Sequence, residues 1–233
     1  MTRSTLGRTL VGAALTVLLS TAALVPASAA SAPVITWQGL ISDGASYPYG
    51  QVPAAPTCTA TEDLAPVACT VTGYDTTVGV HVLTATAIAS DAVTTSVQTR
   101  TYTVTAWSLK GFYKPVRMGA VNKVKAGSTV PLKFKVYAGA AKAKSITVVE
   151  SLTAQQYDCT TLAAVGTPVA VATAHKGFRL TYRDGAFHQN WKTPKLPKAA
   201  KVKGKKAAPV TACYQVTLTT QDASTLTATF VLK

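Results

Sequence analysis

Phe178–Trp191, FRLTYRDGAFHQNW, is the stretch whose reading decides the fold. Asp184-Gly185 suits a type I′ hairpin turn, which needs positive φ at both central residues. A two-residue loop at that point sets the register: Tyr182 faces Phe187, Phe178 faces Trp191 and Thr181 faces His188. Phe178, Leu180, Tyr182, Phe187 and Trp191 then share one face and supply much of a core. His188 falls on the other face. Alternation of this kind, with period two, predicts an antiparallel sheet packed on one side.

The pattern repeats outward from that hairpin. Val130, Leu132, Phe134 and Val136 alternate with Pro131, Lys133, Lys135 and Tyr137. Pro131 has no N–H to donate, so the start of this strand is expected at a sheet edge. Val216 and Leu218 pair with Leu226, Ala228, Phe230 and Leu232 after a turn near Asp222. In the first half, Val67, Cys69 and Val71 share a face, Tyr102, Val104 and Ala106 share another, and Gly79–Ala87 is extended. Abundant Thr and Val with Gly and Pro punctuation favour strands. The expected fold class is all-β, with two tandem immunoglobulin-like β-sandwich domains and almost no helix.

The amino terminus reads as a secretory signal peptide over residues 1–29. Arg3 and Arg8 precede an apolar run from Leu10 to Val25, and Ala27-Ser28-Ala29 is a small-residue cleavage site. The arginines are not adjacent, which disfavours a twin-arginine signal, and no cysteine follows the cleavage site to take a lipid. The mature chain is expected to be secreted or held non-covalently at the cell wall.

Charge divides the rest. Residues 30–107 carry one base, Arg100, against five acids, a balance of −4; residues 108–233 carry twenty bases against four acids, a balance of +16. A break this abrupt predicts a domain boundary at Trp107–Ser108, giving domains 30–107 and 108–233 with no Gly or Pro spacer between them. Four cysteines in an exported chain can pair in three ways. Pairing within each half gives Cys58 with Cys69 and Cys159 with Cys213, adding about 3 and 4 kcal/mol by chain entropy. Cys213 has the opposite parity to Tyr214, Val216 and Leu218, so its bridge is expected at a strand end or beyond a bulge. Neither the spacing of Trp191 from Cys159 nor the residue two before Cys213 fits the antibody pattern.

Gly111–Lys135 carries G-F-Y-x-P-V, then V-N-x-V-K-A-G-S, then P-x-K-F at Pro131–Phe134; Asn190–Pro194 reads N-W-K-T-P, and Cys213–Asp222 reads C-Y-Q-V-T-L-T-T-Q-D. With the closing F-V-L-K, these motifs resemble the PxKF domain of secreted actinobacterial proteins over about residues 108–233. That family has no established biochemical role, so the resemblance implies location and architecture, not an activity. C-T-V-T-G-Y at Cys69–Tyr74 and V-G-V-H-V-L-T-A-T-A at Val78–Ala87 resemble a bacterial immunoglobulin-like or hyalin-repeat module over about residues 33–107.

No catalytic arrangement emerges. The chain lacks G-x-S-x-G, H-E-x-x-H and a phosphate-binding glycine loop. His81, His175 and His188 are scattered and no C-x-x-C occurs, so neither a metal nor any other cofactor is expected. His188, near Asp184, is the best candidate base, yet its register opposite Thr181 suits a solvated side chain. The second half has only four acids, too few for paired-carboxylate glycoside chemistry.

Chemical character concentrates in Lys192–Lys206. There Lys192, Lys195, Lys198, Lys201, Lys203, Lys205 and Lys206 occupy seven of fifteen positions among prolines, alanines and a glycine. Short PxKF relatives join the same two strands with a few residues, so the resemblance implies an insertion here. Self-repulsion keeps such a tract extended. It is a candidate site for an anionic polymer such as teichoic acid, acidic polysaccharide or extracellular DNA. With no aromatic and no arginine in the tract, contact with DNA would be sequence-independent. The plainer reading is a solvated loop. Three functions stay open: a non-enzymatic exported binding or adhesion module, a structural spacer pair with no ligand of its own, and an uncharacterised secreted enzyme.

Overall fold

Two sheet pairs follow one another along the chain in the computed structural model, which describes residues 31–171, 179–197 and 210–233. The signal-peptide reading and Phe178 lie outside those residues. In the first pair, β1 (Val34–Gln38), β3 (Thr57–Glu62) and β4 (Ala65–Val67) form one sheet. The opposing sheet runs β2 (Ala45–Pro48), β7 (Thr95–Thr105), β6 (Gly79–Ile88), β5 (Cys69–Thr72). β4 and β5 are separated by one residue and belong to different sheets, so the chain changes sheets at Ala68. β2 runs parallel to β7, while β6 and β7 form a long antiparallel hairpin.

The second pair is larger. One sheet contains β8 (Ser108–Gly111), β10 (Thr129–Ala138), β11 (Ala141–Lys142), β14 (Thr181–Arg183) and β15 (Ala186–Lys192). The other runs β13 (Ala164–Ala170), β12 (Val149–Tyr157), β16 (Ala212–Thr220), β17 (Thr225–Leu232), β9 (Val121–Val124). β10 carries β8 on one flank and β15 on the other, with β14 beyond β15; β12, β16 and β17 are successive neighbours opposite. That is the A-B-E-D and C-F-G arrangement of an immunoglobulin sandwich. β9 adds to β17 in parallel. A single 3₁₀ turn, Ile146–Val148, is the helical element among the described residues.

The hairpin register holds. Tyr182 pairs with Phe187 and Thr181 with His188, while Asp184 and Gly185 have φ of 51° and 72°. Leu180, Phe187 and Trp191 are buried together with Val130, Leu132, Phe134 and Val136 from β10. Val216, Leu218, Ala228, Phe230 and Leu232 close the core from the opposite sheet. Phe134 stacks on Phe187 at 5.2 Å, and Trp191 meets Phe230 edge-on at 4.9 Å. Residues 129–133 of β10 pair with β15 alone, and β8 joins from Phe134 onward, so Pro131 does sit on an open flank. At that junction Gly111 has φ 123°, and a Cβ there would lie 2.7 Å from the Lys133 carbonyl oxygen. Only glycine fits so close an approach.

The first core is thinner. Ile35, Ala60, Ala85 and Ala87 form one buried cluster; Ile41, Leu83, Tyr102 and Val104 form another, and Trp37 and Val71 pack against both. One expectation fails here. β7 ends at Thr105 and Ala106 is exposed, so Ala106 does not continue the face of Tyr102 and Val104. The chain has already turned toward Trp107, whose indole packs edge-on against Tyr49 at 5.3 Å.

Candidate functional site

The two disulfides are Cys58–Cys69 and Cys159–Cys213. The first ties β3 to β5 and so joins opposing sheets beside the Ala60 cluster. The second ties the loop after β12 to the start of β16, neighbours in one sheet, where Cys213 pairs with Tyr157. Its place at a strand end accounts for the parity of Cys213.

The three histidines do not converge. His81 lies on β6, 2.6 Å from the Thr77 carbonyl and 5.2 Å from the Tyr102 ring. His188 lies on the outer face of β15, and His175 is outside the described residues. Among the described residues, no group of three or more His, Cys, Asp or Glu side chains is placed to hold a metal ion.

Of the lysine tract, Lys192 and Lys195 are described and both are exposed. Lys192 ends β15, and Lys195 follows it beside Gly127. Lys198, Lys201, Lys203, Lys205 and Lys206 lie outside the described residues.

What the sequence reading left unassembled is the surface that β15 belongs to. Alternate residues of β8, β10, β14 and β15 point away from the core, and pairing brings them side by side. Lys133 is opposite His188, Lys135 is opposite Lys110, and Thr129 is opposite Lys192. Lys110 Nζ lies 5.2 Å from the centre of the Tyr137 ring and Lys135 Nζ 5.2 Å from that of Tyr113. Such contacts hold the stems down while leaving the charge at the surface. The five strands of this sheet carry Lys110, Lys133, Lys135, Lys142, Arg183 and Lys192 and no acid, whereas the opposing sheet's five strands carry Lys123 and Glu150 alone. The signal was present in the spacing of Lys133 with Lys135 and of Arg179 with Arg183. It became visible once the turn register placed those pairs on one face.

At one end of this face, Arg179, Thr181, Arg183, His188 and Asn190 line a cleft of about 260 Å³. Burial, then the neighbouring charges of Arg183 and Lys133, hold His188 below the ordinary histidine value. A hydrogen bond with the Arg183 backbone and the charge of Asp184 pull weakly the other way.

The joint between the sandwiches is also built from specific contacts. The Trp107 N–H donates to Asp222 Oδ2 at 2.5 Å, and Ser224 Oγ donates to the Trp107 carbonyl at 3.4 Å. Its indole Nε1 donates to the Tyr49 carbonyl at 3.0 Å. Asp222 lies in the β16–β17 turn and is buried. Burial pushes its carboxyl upward, but bonds from Thr220, Trp107 and Ser224 outweigh that and hold it below the usual aspartate value.

No protein-family model and no curated protein matches the chain. Among solved structures, a titin fragment of domains I67–I69 is similar at 12% identity, covering 86% of this chain with a TM-score of 0.29. This chain spans 65% of that fragment's length. The fibronectin(III)-like modules of CbhA from Clostridium thermocellum align over 85% of this chain and 93% of theirs, at 11% identity and a TM-score of 0.25. A two-immunoglobulin-domain fragment of DIP-gamma aligns over 87% of this chain and 97% of its own, at 8% identity and a TM-score of 0.24. Among the described residues no helix is long and apolar enough to cross a membrane. The strand order itself makes this chain a pair of tandem immunoglobulin-like β-sandwiches.

Proposed function

We propose that this chain is an exported, non-enzymatic binding module of the PxKF type that associates with an anionic extracellular polymer through its basic second sandwich. The observation that carries this reading is the charge asymmetry between the two sheets of that sandwich. Six bases and no acid lie on the strands of one sheet, while the other holds one of each. Solvation alone does not require cations on one sheet only, and a single-sign face raises the local concentration of a polyanion. Lys192 and Lys195 are exposed where β15 ends, and in this reading the polymer engages the basic face together with the lysines that follow in the sequence.

The test is the salt dependence of binding. Replacing the seven lysines from Lys192 to Lys206 with glutamine should lower the salt slope on teichoic acid, heparin and random-sequence DNA, because fewer counterions are released. Thirteen bases remain in the second half, so residual binding is expected. An unchanged slope on all three polymers would reduce the tract to a solvated loop. A second reading, a spacer with no ligand, draws support from the Trp107 joint, which holds two sandwiches together through named contacts. Wild-type protein that is not retained on any of the three polymers at low salt would favour it.

A further inference from the structure

Within this surface we infer that the cleft of Arg179, Thr181, Arg183, His188 and Asn190 is a discrete subsite for one tetrahedral oxyanion, a phosphate or sulfate group carried by the bound polymer. The polymer part of this inference rests on the function proposed above. The cleft, at about 260 Å³, lies below the range of about 300–1,000 Å³ usual for drug-sized ligands and suits a single group. Its donors come from both strands of the hairpin. Two guanidinium forks, a hydroxyl, an amide and an imidazole exceed what the two oxygens of a carboxylate can accept, and they suit an anion with three or four oxygens. Lys133, paired with His188 on the next strand, adds a third fixed positive charge. Asp184 is the acid that acts on the ring, and its influence is the weakest of those resolved. Lys192, two register positions beyond Asn190, leads from the cleft toward the tract.

Proton linkage follows from this geometry. Burial, Arg183 and Lys133 leave the His188 ring less protonated than an isolated histidine at the same pH. A bound oxyanion reverses the balance by stabilising the imidazolium. Binding therefore takes up a proton, and affinity should rise as pH is lowered from about 8 to about 5.

The experiment follows the His188 ring resonances of the full-length mature chain against pH in chloride, sulfate and inorganic phosphate at equal ionic strength. An apparent pKa that is higher in sulfate or phosphate than in chloride is expected; identical values in all three salts would overturn the subsite. A rise in one of the two oxyanions alone identifies a sulfate ester or a phosphodiester as the natural group. Arg179→Gln and Arg183→Gln, on the exposed face, should each weaken binding of the responding anion about tenfold, the cost of one charge-assisted hydrogen bond. His188→Gln should flatten the pH dependence of binding to heparin or polyglycerol phosphate while keeping part of the affinity. Polymer binding with wild-type affinity and pH dependence in all three variants would sink the subsite and leave the general polyanion reading standing. Oxyanion-dependent titration of His188 without retention on any polymer would do the reverse, keeping the subsite and ending the polymer reading.

Discussion

The two sandwiches solve the same problem with different materials. The second buries four phenylalanines and a tryptophan between its sheets, and its disulfide lies at one end of a single sheet. The first buries three alanines and two isoleucines with a few larger side chains, and its disulfide crosses between the sheets. Buried apolar area is the main stabilising term in a small domain, so a module with a thin core gains most from a covalent tie across that core. The comparison teaches that a bridge's position in the packing, more than the length of loop it closes, decides what depends on it.

Removing the bridges pairwise would break or sharpen that comparison. The Cys159→Ala/Cys213→Ala variant opens a loop of 54 residues, and chain entropy puts its cost at about 4 kcal/mol. The second sandwich should nevertheless stay folded at room temperature, with a lower urea midpoint, because its aromatic core is untouched. Cys58→Ala/Cys69→Ala opens a loop of only 11 residues, at a cost of about 3 kcal/mol. That smaller loss should unfold the first sandwich selectively, read as loss of amide protection in β3, β5 and β6 by hydrogen exchange. Equal residual protection in both sandwiches of both variants would refute the idea that core thickness sets the dependence.

The joint gives the next largest effect. Asp222 accepts from Thr220 Oγ1 at 2.6 Å, Ser224 Oγ at 2.7 Å and the Trp107 N–H, and so ties the β16–β17 turn to the segment between the sandwiches. Asp222→Ala should cost about 2 kcal/mol, in the range for hydrogen bonds to a charged group. Its depressed carboxyl also fixes the sign of the acid dependence. A group whose folded value lies below its unfolded value of about 3.9 contributes fully above that pH and loses its contribution as pH falls through the folded value. The stability gap between wild type and Asp222→Ala should therefore be constant at neutral pH and narrow below about pH 4. Denaturant melts at pH 7, 4 and 2.5 would check this; a gap that widens in acid would show that the carboxyl is not held in its charged form. Small-angle scattering should show a broader range of interdomain arrangements in the variant, since Trp107 then keeps its Tyr49 contacts and only the 3.4 Å bond from Ser224 Oγ to the second sandwich.

How far these features could be read in advance depended on whether they were local. The Asp184-Gly185 turn fixes its own register, so one dipeptide placed Tyr182 against Phe187 and Thr181 against His188 before any tertiary information entered. Both cysteine pairs followed from the charge break, since each lies on one side of it. The cationic face was only half legible: Lys133, Lys135, Arg179 and Arg183 carried the right parity, but Lys110 joins them through a strand pairing that no local pattern announces. Asp222 read as a turn residue, and nothing in the sequence tied it to Trp107, 115 positions earlier. The failed expectation at Ala106 has the same origin, because a long-range contact of the neighbouring tryptophan ended the strand. Five of the seven tract lysines fall outside the described residues, so that part of the site is carried by charge counting alone.

The smallest effects concern one buried polar side chain in each core. In the first, the Tyr102 hydroxyl donates to the Asp75 carbonyl at 2.5 Å and accepts from the Asp75 N–H at 2.8 Å, so both its capacities are used. In the second, Gln189 is buried opposite Leu132, and its amide nitrogen reaches the Asn190 carbonyl at 3.2 Å. Its Oε1 meets no donor among the described residues. An unsatisfied buried acceptor costs about 1–3 kcal/mol, whereas an apolar group of similar shape in its place can be neutral or stabilising. Tyr102→Phe should therefore lose about 1 kcal/mol, and Gln189→Met should gain about as much. Methionine suits the second site because it matches the length of glutamine and adapts to irregular space. Opposite signs in the two urea midpoints are the expected result. A loss at both positions would mean that Gln189 contributes through its polar end, and the second core would then be more finely fitted than its aromatic bulk suggests.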